Sequence, residues 1–353
     1  MGTVRKVAVF GAYGHTGRFV VAELRERGFV PVLSGRDRVK LEKYAVETGL
    51  EMRAASIDDS DSLDRALEGT AAVVNCAGPF ASTAGPVIEA ALRASIPYID
   101  VAAEVEANRD TFAHFAGRAR AARTVIVPAM AFYGGLGDLL VTAVMGDWAT
   151  ADEAHVAFGL NSWHPTAGTR ASGAVSHERR DGRRVRYSQG RLEYRDDAQP
   201  ILEWPFPEPM GPRPVIGEFT MAEVITVPSH LDIAEVCTYM TTEAARDLSN
   251  PETPAPTAVD ASGRSDQTFV VDAVVRAGGV ERRAVATGQD IYAVTAPLVG
   301  EAVDRVLSGR TRAVGVASAG EIFDAVGFLK ALAPHISVQL PAQRAADGVP
   351  SRP

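Results

Sequence analysis

Three glycines, Gly11, Gly14 and Gly17, stand between an apolar run, VAVF (7–10), and an amphipathic stretch that opens at His15. Backbone that must approach a polyanion needs this arrangement. The first glycine permits a tight turn and the middle one lets the chain lie against a pyrophosphate. The third allows the helix to pack closely on the strand. Amides at the start of that helix, with Tyr13, His15 and Thr16 of the same loop, then face negative charge. The spacing has one residue more than GxGxxG, a variant that several nicotinamide dinucleotide sites use. A glycine-rich turn without a ligand is the alternative.

The segment after the second apolar run, Ser34-Gly35-Arg36-Asp37, selects between dinucleotides. An acid at the strand end would hold the ribose hydroxyls of NAD(H). Here Arg36 can pair with a 2′-phosphate and Ser34 can hydrogen-bond it, which favours NADP(H) over NAD(H). Asp37 comes one step late for the ribose and serves equally as a helix cap. After the third run, Asp58 is placed to hold the adenine amino group or to cap the next helix. Cys76, Ala77, Gly78 and Pro79 end the fourth run with small residues, leaving room for the cofactor's ribose and nicotinamide, and Phe80 follows on the substrate side.

Hydride transfer needs a proton source beside the acceptor. None of the eight tyrosines has a lysine four residues later, which excludes the Tyr-x-x-x-Lys pair of short-chain dehydrogenases. The seven histidines have no close pair at ligand spacing, so no metal is expected. Tyr133, in Phe132-Tyr133-Gly134-Gly135, lies where the chain leaves the first domain, as a proton donor or as a packing aromatic. Asp138 is a second candidate, with a helix cap as its alternative. Asp100 and Glu104, at the fifth strand's end, orient substrate or serve a helix N-terminus. In the run from Asn161 to Arg170, Trp163 and His164 can wall a pocket, His164 is a third proton-transfer candidate, and Thr169 and Arg170 can bind substrate. A solvated loop is the other reading. His177 falls in a charged surface run, and the arginine-rich stretch from Arg179 to Arg191 reads as a charged hairpin.

These groups need a frame, and from Val4 to Val127 the chain alternates short apolar strands with helices. Strands fall at 7–10, 30–34, 52–56, 71–76, 97–101 and 124–128. Helices fall at 15–27, 39–48, 60–67, 85–94 and 105–122. Continuous apolar strands between helices predict a doubly wound parallel sheet, an α/β Rossmann domain. After a glycine-rich loop, a helix is expected at 136–145. Longer strands at 153–160, 183–188, 269–278 and 280–290, with turn signals at Asp181-Gly182 and Gly278-Gly279, predict a second α+β domain with a mixed or antiparallel sheet. Prolines between 201 and 256 read as strands joined by long loops. Helical pattern returns at 293–308 and 321–332. The expected division is 1–130 for the dinucleotide, completed by helices within 291–340, then 131–290 for substrate or dimerisation, and a flexible tail at 341–353.

With 353 residues, 46% hydrophobic, and a net charge of −8, the composition is that of a globular protein without a nucleic-acid footprint. Two cysteines at unrelated positions, no apolar run of membrane-spanning length and no leader-like N-terminus point to a cytoplasmic protein. The expected partner is a small molecule, with neither nucleic acid nor membrane, and a homodimer is left open.

VFGAYGHTG, LSGRD, VVNCAGPF and PYIDVAAE together resemble the NADP-binding domain of the saccharopine dehydrogenase/reductase family. AFYGGLGDLL, TAGTRASG (166–173) and VGVASAGEIFDAVGFLKAL (314–332) are similar to later segments of that family. The resemblance implies nicotinamide-dependent oxidoreduction of imines, of polyamine precursors or of activated C=C bonds. No arginine pair is placed by motif to hold a dicarboxylate such as saccharopine. The reading is an NADP(H)-dependent reductase of an imine derived from a small amine or amino acid. An enoyl reductase and a non-catalytic NADP(H) sensor are the alternatives.

Overall fold

The computed structural model describes residues 5–341. Strands and helices alternate first: β1 (Lys6–Phe10), α1 (His15–Glu26), β2 (Val30–Gly35), α2 (Arg38–Thr48), β3 (Met52–Ala54), α3 (Ser60–Leu67), β4 (Ala72–Asn75), α4 (Phe80–Ala94), β5 (Tyr98–Asp100), α5 (Val105–Ala121) and β6 (Val125–Val127). A tight turn at 132–136 leads into α6 (Gly137–Met145), β7 (Thr150–Leu160) and α7 (Ala167–Arg179). Four strands follow, β8 (Arg184–Ser188), β9 (Arg191–Arg195), β10 (Ile201–Pro205) and β11 (Pro212–Gly217), then α8 (Glu223–Thr226), β12 (Asp232–Thr241) and α9 (Thr242–Ser249). The chain closes with β13 (Thr268–Ala277), β14 (Val280–Gln289), α10 (Thr295–Leu307), β15 (Gly315–Val316), α11 (Ala319–Ile322), α12 (Ala325–Ala331) and β16 (Ile336–Gln339).

Unalternating apolar runs form the first sheet because helices cover both its faces. Its seven parallel strands lie in the order β15-β6-β5-β4-β1-β2-β3. That order reverses between β1 and β4, which opens a crevice at the strands' carboxyl ends. Register sets Phe10 beside both Ser34 and Asn75, so the turns carrying Gly11, Gly35 and Cys76 emerge side by side. The second sheet is mixed, running β10-β11-β12-β7-β13-β14-β16, with β8 and β9 attached at β12. Only β12 and β7 pair in parallel along that path.

Helix α6 joins the two sheets. Its sequence, GDLLVTAVM, is apolar nearly all round, as a helix enclosed on every side must be. Leu139, Leu140, Val141 and Val144 expose no surface. One buried cluster runs from Val9 and Val74 through these residues to Phe158 and Phe269. Truncating such a leucine in a close-packed core costs about 2–5 kcal/mol, so the sheets are held together strongly here.

Several boundaries differ from expectation for physical reasons. The helix expected at 85–94 begins earlier, since α4 starts at Phe80. Pro86 removes one internal hydrogen bond, while the Glu104 carboxylate accepts from the amides of Phe80 (2.7 Å) and Ala81 (2.9 Å) and secures the early start. The Asp181-Gly182 signal closes α7 rather than a hairpin. The hairpin turn is Gln189-Gly190, with φ of 49° and 76°, between β8 and β9. Gly278-Gly279 does join β13 to β14. The proline-rich segment also carries α8 and α9. Of the closing elements, β15 and α10 join the first sheet and α1, whereas β16 extends the second sheet and α11 and α12 pack on α6. The expected tail lies, beyond Pro341, outside the described residues.

Candidate dinucleotide and active site

Gly11 turns at φ +85°, and a Cβ there would stand 2.8 Å from the Ala77 amide nitrogen. A Cβ on Gly17 would stand 2.3 Å from the Gly11 carbonyl oxygen. Neither position admits a side chain. Gly14 precedes α1 and offers no capping side chain, so the first-turn amides of His15, Thr16 and Gly17 remain available to an anion. The His15 Nε2 is buried without a partner among the described residues, and burial lowers the ring's pKa.

The selector residues lie beside this loop. Ser34 is buried and its Oγ has no partner, whereas Arg36 is exposed and, among the described residues, makes no hydrogen bond or ion pair. The Tyr13 ring packs against Gly35, and its hydroxyl accepts from the Asp37 amide at 3.2 Å. Asp37 caps α2 through the Lys40 amide. Asp59, not Asp58, caps α3, and Asp58 is exposed beside the Ser56 hydroxyl. An orphaned buried hydroxyl, an unpaired cation and a glycine cradle together fit a dinucleotide carrying a 2′-phosphate.

The ends of β4 and β5 are stiffened by a buried polar network. The Asn75 Nδ2 donates to Tyr98 Oη and Thr83 Oγ1, and its Oδ1 accepts from the Ala77 amide. Tyr98 donates to Asp100, which also accepts from the amides of Ala102 and Ala129. Burial lifts the Asp100 carboxyl to about 6 against those hydrogen bonds. Asp100 and Glu104 therefore shape loops and a helix end. Burial also pushes the Cys76 thiol far up, so the sulfur stays protonated beside Ala77 and Gly78. Phe80 is buried at the start of α4, with its ring near Gly78.

The second sheet supplies the wall opposite. A Cβ on Gly78 would meet Ser172 Oγ at 2.5 Å, so α7 crosses the crevice at the β4–α4 turn. Tyr292 is the hub of this wall. Its hydroxyl takes the Trp163 indole N–H (3.1 Å) and the Thr166 amide (3.3 Å) and exchanges a bond with Thr169 (2.9 Å). Its ring meets His15 edge-on at 5.2 Å. Trp163 in turn lies 5.2 Å from the Tyr133 ring. Tyr133 is 7% exposed, its hydroxyl is buried without a partner among the described residues, and burial pushes its pKa well up. Two expectations need correction here. Arg170 spends its guanidinium on the carbonyls of Leu248, Asn250 and Thr253, so it holds the chain after α9 rather than a ligand. Asp138 is fully buried and committed to the His230 Nε2 (2.8 Å) and the Gly320 amide (2.7 Å), which tie α6 to the chain before β12 and to α11. His164 is half-buried and lines a small cavity with Ser162, Asp266 and Tyr292.

Tyr292 and Glu223 escaped the sequence reading. Glu223 is fully buried, and its Oε1 accepts from the Gly134 amide at 2.5 Å. Burial raises its carboxyl to about 7. The one sequence signal was an acid inside an apolar stretch, MAEVITV (221–227). Among the described residues, no three His, Cys, Asp or Glu side chains gather as a metal site, and no helix is long and apolar enough to cross a membrane. A groove lined by Asp64, Glu68 and Arg93 lies at the amino ends of the strands, away from the crevice.

Comparison with known proteins agrees with this geometry. Residues 7–127 match the saccharopine dehydrogenase NADP-binding domain. A probable mitochondrial saccharopine dehydrogenase-like oxidoreductase of Arabidopsis thaliana is 29% identical over 145 residues, covering 36% of this chain and 32% of that protein. The human saccharopine dehydrogenase-like oxidoreductase is 27% identical over 117 residues, covering 28% of this chain and 27% of that one. The matched segment thus spans about a third or less of these relatives' length. Saccharopine dehydrogenase (L-Glu forming) of Saccharomyces cerevisiae superposes with a TM-score of 0.66 at 11% identity, over 96% of this chain and all of that one, which extends the likeness in fold to the second sheet. Residues 7–127 of this chain are therefore similar to the saccharopine dehydrogenase NADP-binding domain.

Proposed function

We propose that the chain is an NADP(H)-dependent oxidoreductase that reduces the C=N bond of a small amine-derived substrate held between the two sheets. One observation carries the reading: the unpartnered Tyr133 hydroxyl, buried among aromatic rings beside the wall that closes the crevice. Buried hydroxyls are rarely left unpaired, and this one is suited to a partner that arrives with the ligand. When bound, NADPH supplies hydride. The amides of His15, Thr16 and Gly17 hold its diphosphate, Ser34 and Arg36 its 2′-phosphate, and Asp58 its adenine. Cys76, Ala77, Gly78 and Pro79 line the nicotinamide end. Tyr133 donates a proton to the imine nitrogen, while Trp163 and Tyr292 exclude water. In this reading residues 1–130, with 291–340, serve the cofactor and 131–290 serve the substrate.

Reduction of an activated C=C bond is the second reading. It is favoured by the commitment of Arg170 to backbone carbonyls and by the aromatic walls, which suit an uncharged substrate. A cytoplasmic location accords with the two free cysteines. A homodimer would cover Ile201 and Leu202, exposed on the edge strand β10. The test is to titrate NADPH and NADH by nicotinamide fluorescence, then follow NADPH consumption with cyclic imines and with enones, for the wild type and Tyr133→Phe. Consumption that the substitution lowers supports the proposal, and the substrate set decides between C=N and C=C. Tight NADPH binding without any consumption would instead indicate a sensor.

A further inference from the structure

We propose that Glu223 positions Tyr133: its carboxylate seats the Tyr133-Gly134 turn and so aims the phenol into the site between the sheets. The inference rests on the reading of Tyr133 as proton donor and adds the residue that holds it in place. Gly134 sits at φ +94° and ψ −73°, a conformation that residues with a side chain rarely adopt. Its amide is fixed by Glu223, 89 residues away along the chain. Close packing completes the hold. A Cβ on Gly134 would stand 2.6 Å from the Ala129 Cβ and 3.1 Å from the Ala222 Cβ, and one on Gly135 would stand 2.9 Å from the Ala129 carbonyl. A Cβ on Gly137 would stand 2.6 Å from Glu223 Oε1 itself. The glycines of FYGGLG therefore make room for Glu223, Ala129 and Ala222.

A carboxyl group with no exposure is an expensive way to fill space, and an apolar side chain would serve packing alone. Glu223 offers instead an acceptor that an apolar residue lacks. The short helix that carries it is anchored by Val224 and Ile225, which pack with Val105 of α5 and Val185 of β8. Among the described residues its second oxygen has no partner, and burial raises its pKa to about 7, which lowers the cost of keeping it there.

The test uses the full chain with Glu223→Gln, Glu223→Ala and Tyr133→Phe. The first readout needs no substrate: near-UV circular dichroism, in which Trp163 reports the neighbouring Tyr133 ring. The Ala variant should change this signature and the Gln variant should not, because an amide oxygen still accepts from Gly134. NADPH affinity should stay within about twofold in both. With a substrate found as above, kcat should fall on the order of a hundredfold in the Ala variant, with KM nearly unchanged, and recover in the Gln variant to within about threefold of wild type. An Ala variant with wild-type kcat and dichroism overturns the proposal, and so does a Gln variant as impaired as the Ala variant. Should Glu223→Ala not fold, Glu223→Met, close in volume and without an acceptor, is read in the same way. A wild-type chain that binds NADPH but reduces nothing removes the catalytic reading, and the dichroism then decides alone whether Glu223 holds the turn.

Discussion

Replacing Arg36 with alanine should weaken NADPH and spare NADH. The side chain is exposed at the end of β2 and has no partner among the described residues, so its removal breaks nothing in the free protein. Neighbouring cations are already engaged, Arg38 with Glu42 at 2.8 Å and Lys40 with Asp37 at 3.3 Å, and they substitute poorly. A hydrogen bond to a charged group is worth about 1.5–3 kcal/mol, and solvent screening at an exposed guanidinium leaves about 1–2 kcal/mol. That corresponds to about a 5- to 30-fold rise in Kd for NADPH, against less than about twofold for NADH, which has no 2′-phosphate. Ser34→Ala provides an independent check. It removes a buried hydroxyl that has no partner, so the free protein should unfold at the same temperature or higher while NADPH still binds more weakly. Fluorescence titration of both nucleotides at low and high salt decides the matter. An equal loss for NADH, or none for NADPH, refutes the assignment of this corner to the 2′-phosphate.

Gly17→Ala should abolish measurable NADPH binding in a chain that still folds by circular dichroism, because its Cβ would stand 2.3 Å from the Gly11 carbonyl and force the loop open. Retained affinity would show that the loop is looser than described. Glu301→Gln should cost about 3 kcal/mol in urea unfolding, since it leaves Arg305 (2.7 Å) and Arg27 (2.8 Å) with a neutral partner where α10 meets α1. Burial raises the Glu301 carboxyl but those two hydrogen bonds outweigh it and leave it lowered, so its contribution is present above its unfolded pKa and lost as pH falls; a cost under about 1 kcal/mol refutes this. Glu223 acts with the opposite sign. Its pKa rises from 4.5 to about 7 on folding, so its folded-state preference for the proton is fully expressed below 4.5 and is lost on the order of 3 kcal/mol as pH climbs through 7. Unfolding free energies of Glu223→Gln between pH 5 and 8 should lack that slope, although Asp100 retains a smaller one of the same sign, and parallel curves would refute the assignment.

The first sheet was legible because each strand is an unbroken apolar run and each turn carries its own local chemistry. Helix α3, for example, spans the expected 60–67, although Asp59 rather than Asp58 caps it by accepting from the Ser62 amide. Where the deciding contact is distant, local reading went astray. The start of α4 depends on Glu104, 24 residues downstream, and nothing near Phe80 announces it. Helix α8 is held by apolar contacts to α5 and β8, and four residues give no period to detect. Arg170 had the type and place of a ligand-binding cation, but only the return of the chain after α9 reveals the three carbonyls that occupy it.

The two glycine-rich loops sharpen the point. Each follows a β-strand and feeds a helix, and composition alone treats them alike. In the first, the glycines clear backbone from backbone: Gly17 meets the Gly11 carbonyl, Gly11 meets Ala77, and the amides that open α1 are left without a cap. Exposed donors at a helix start are a site for an anion from outside. In the second, the Gly134 amide is already taken by a carboxylate from within the chain, and Gly137 opens α6 directly against it. The distinguishing fact is the fate of the amides, and an acid 89 residues away decides it. Glycine spacing therefore identifies close approach in both loops, while the identity of what approaches comes only from tertiary structure. In the proposed function the first loop takes the cofactor, and the second presents Tyr133.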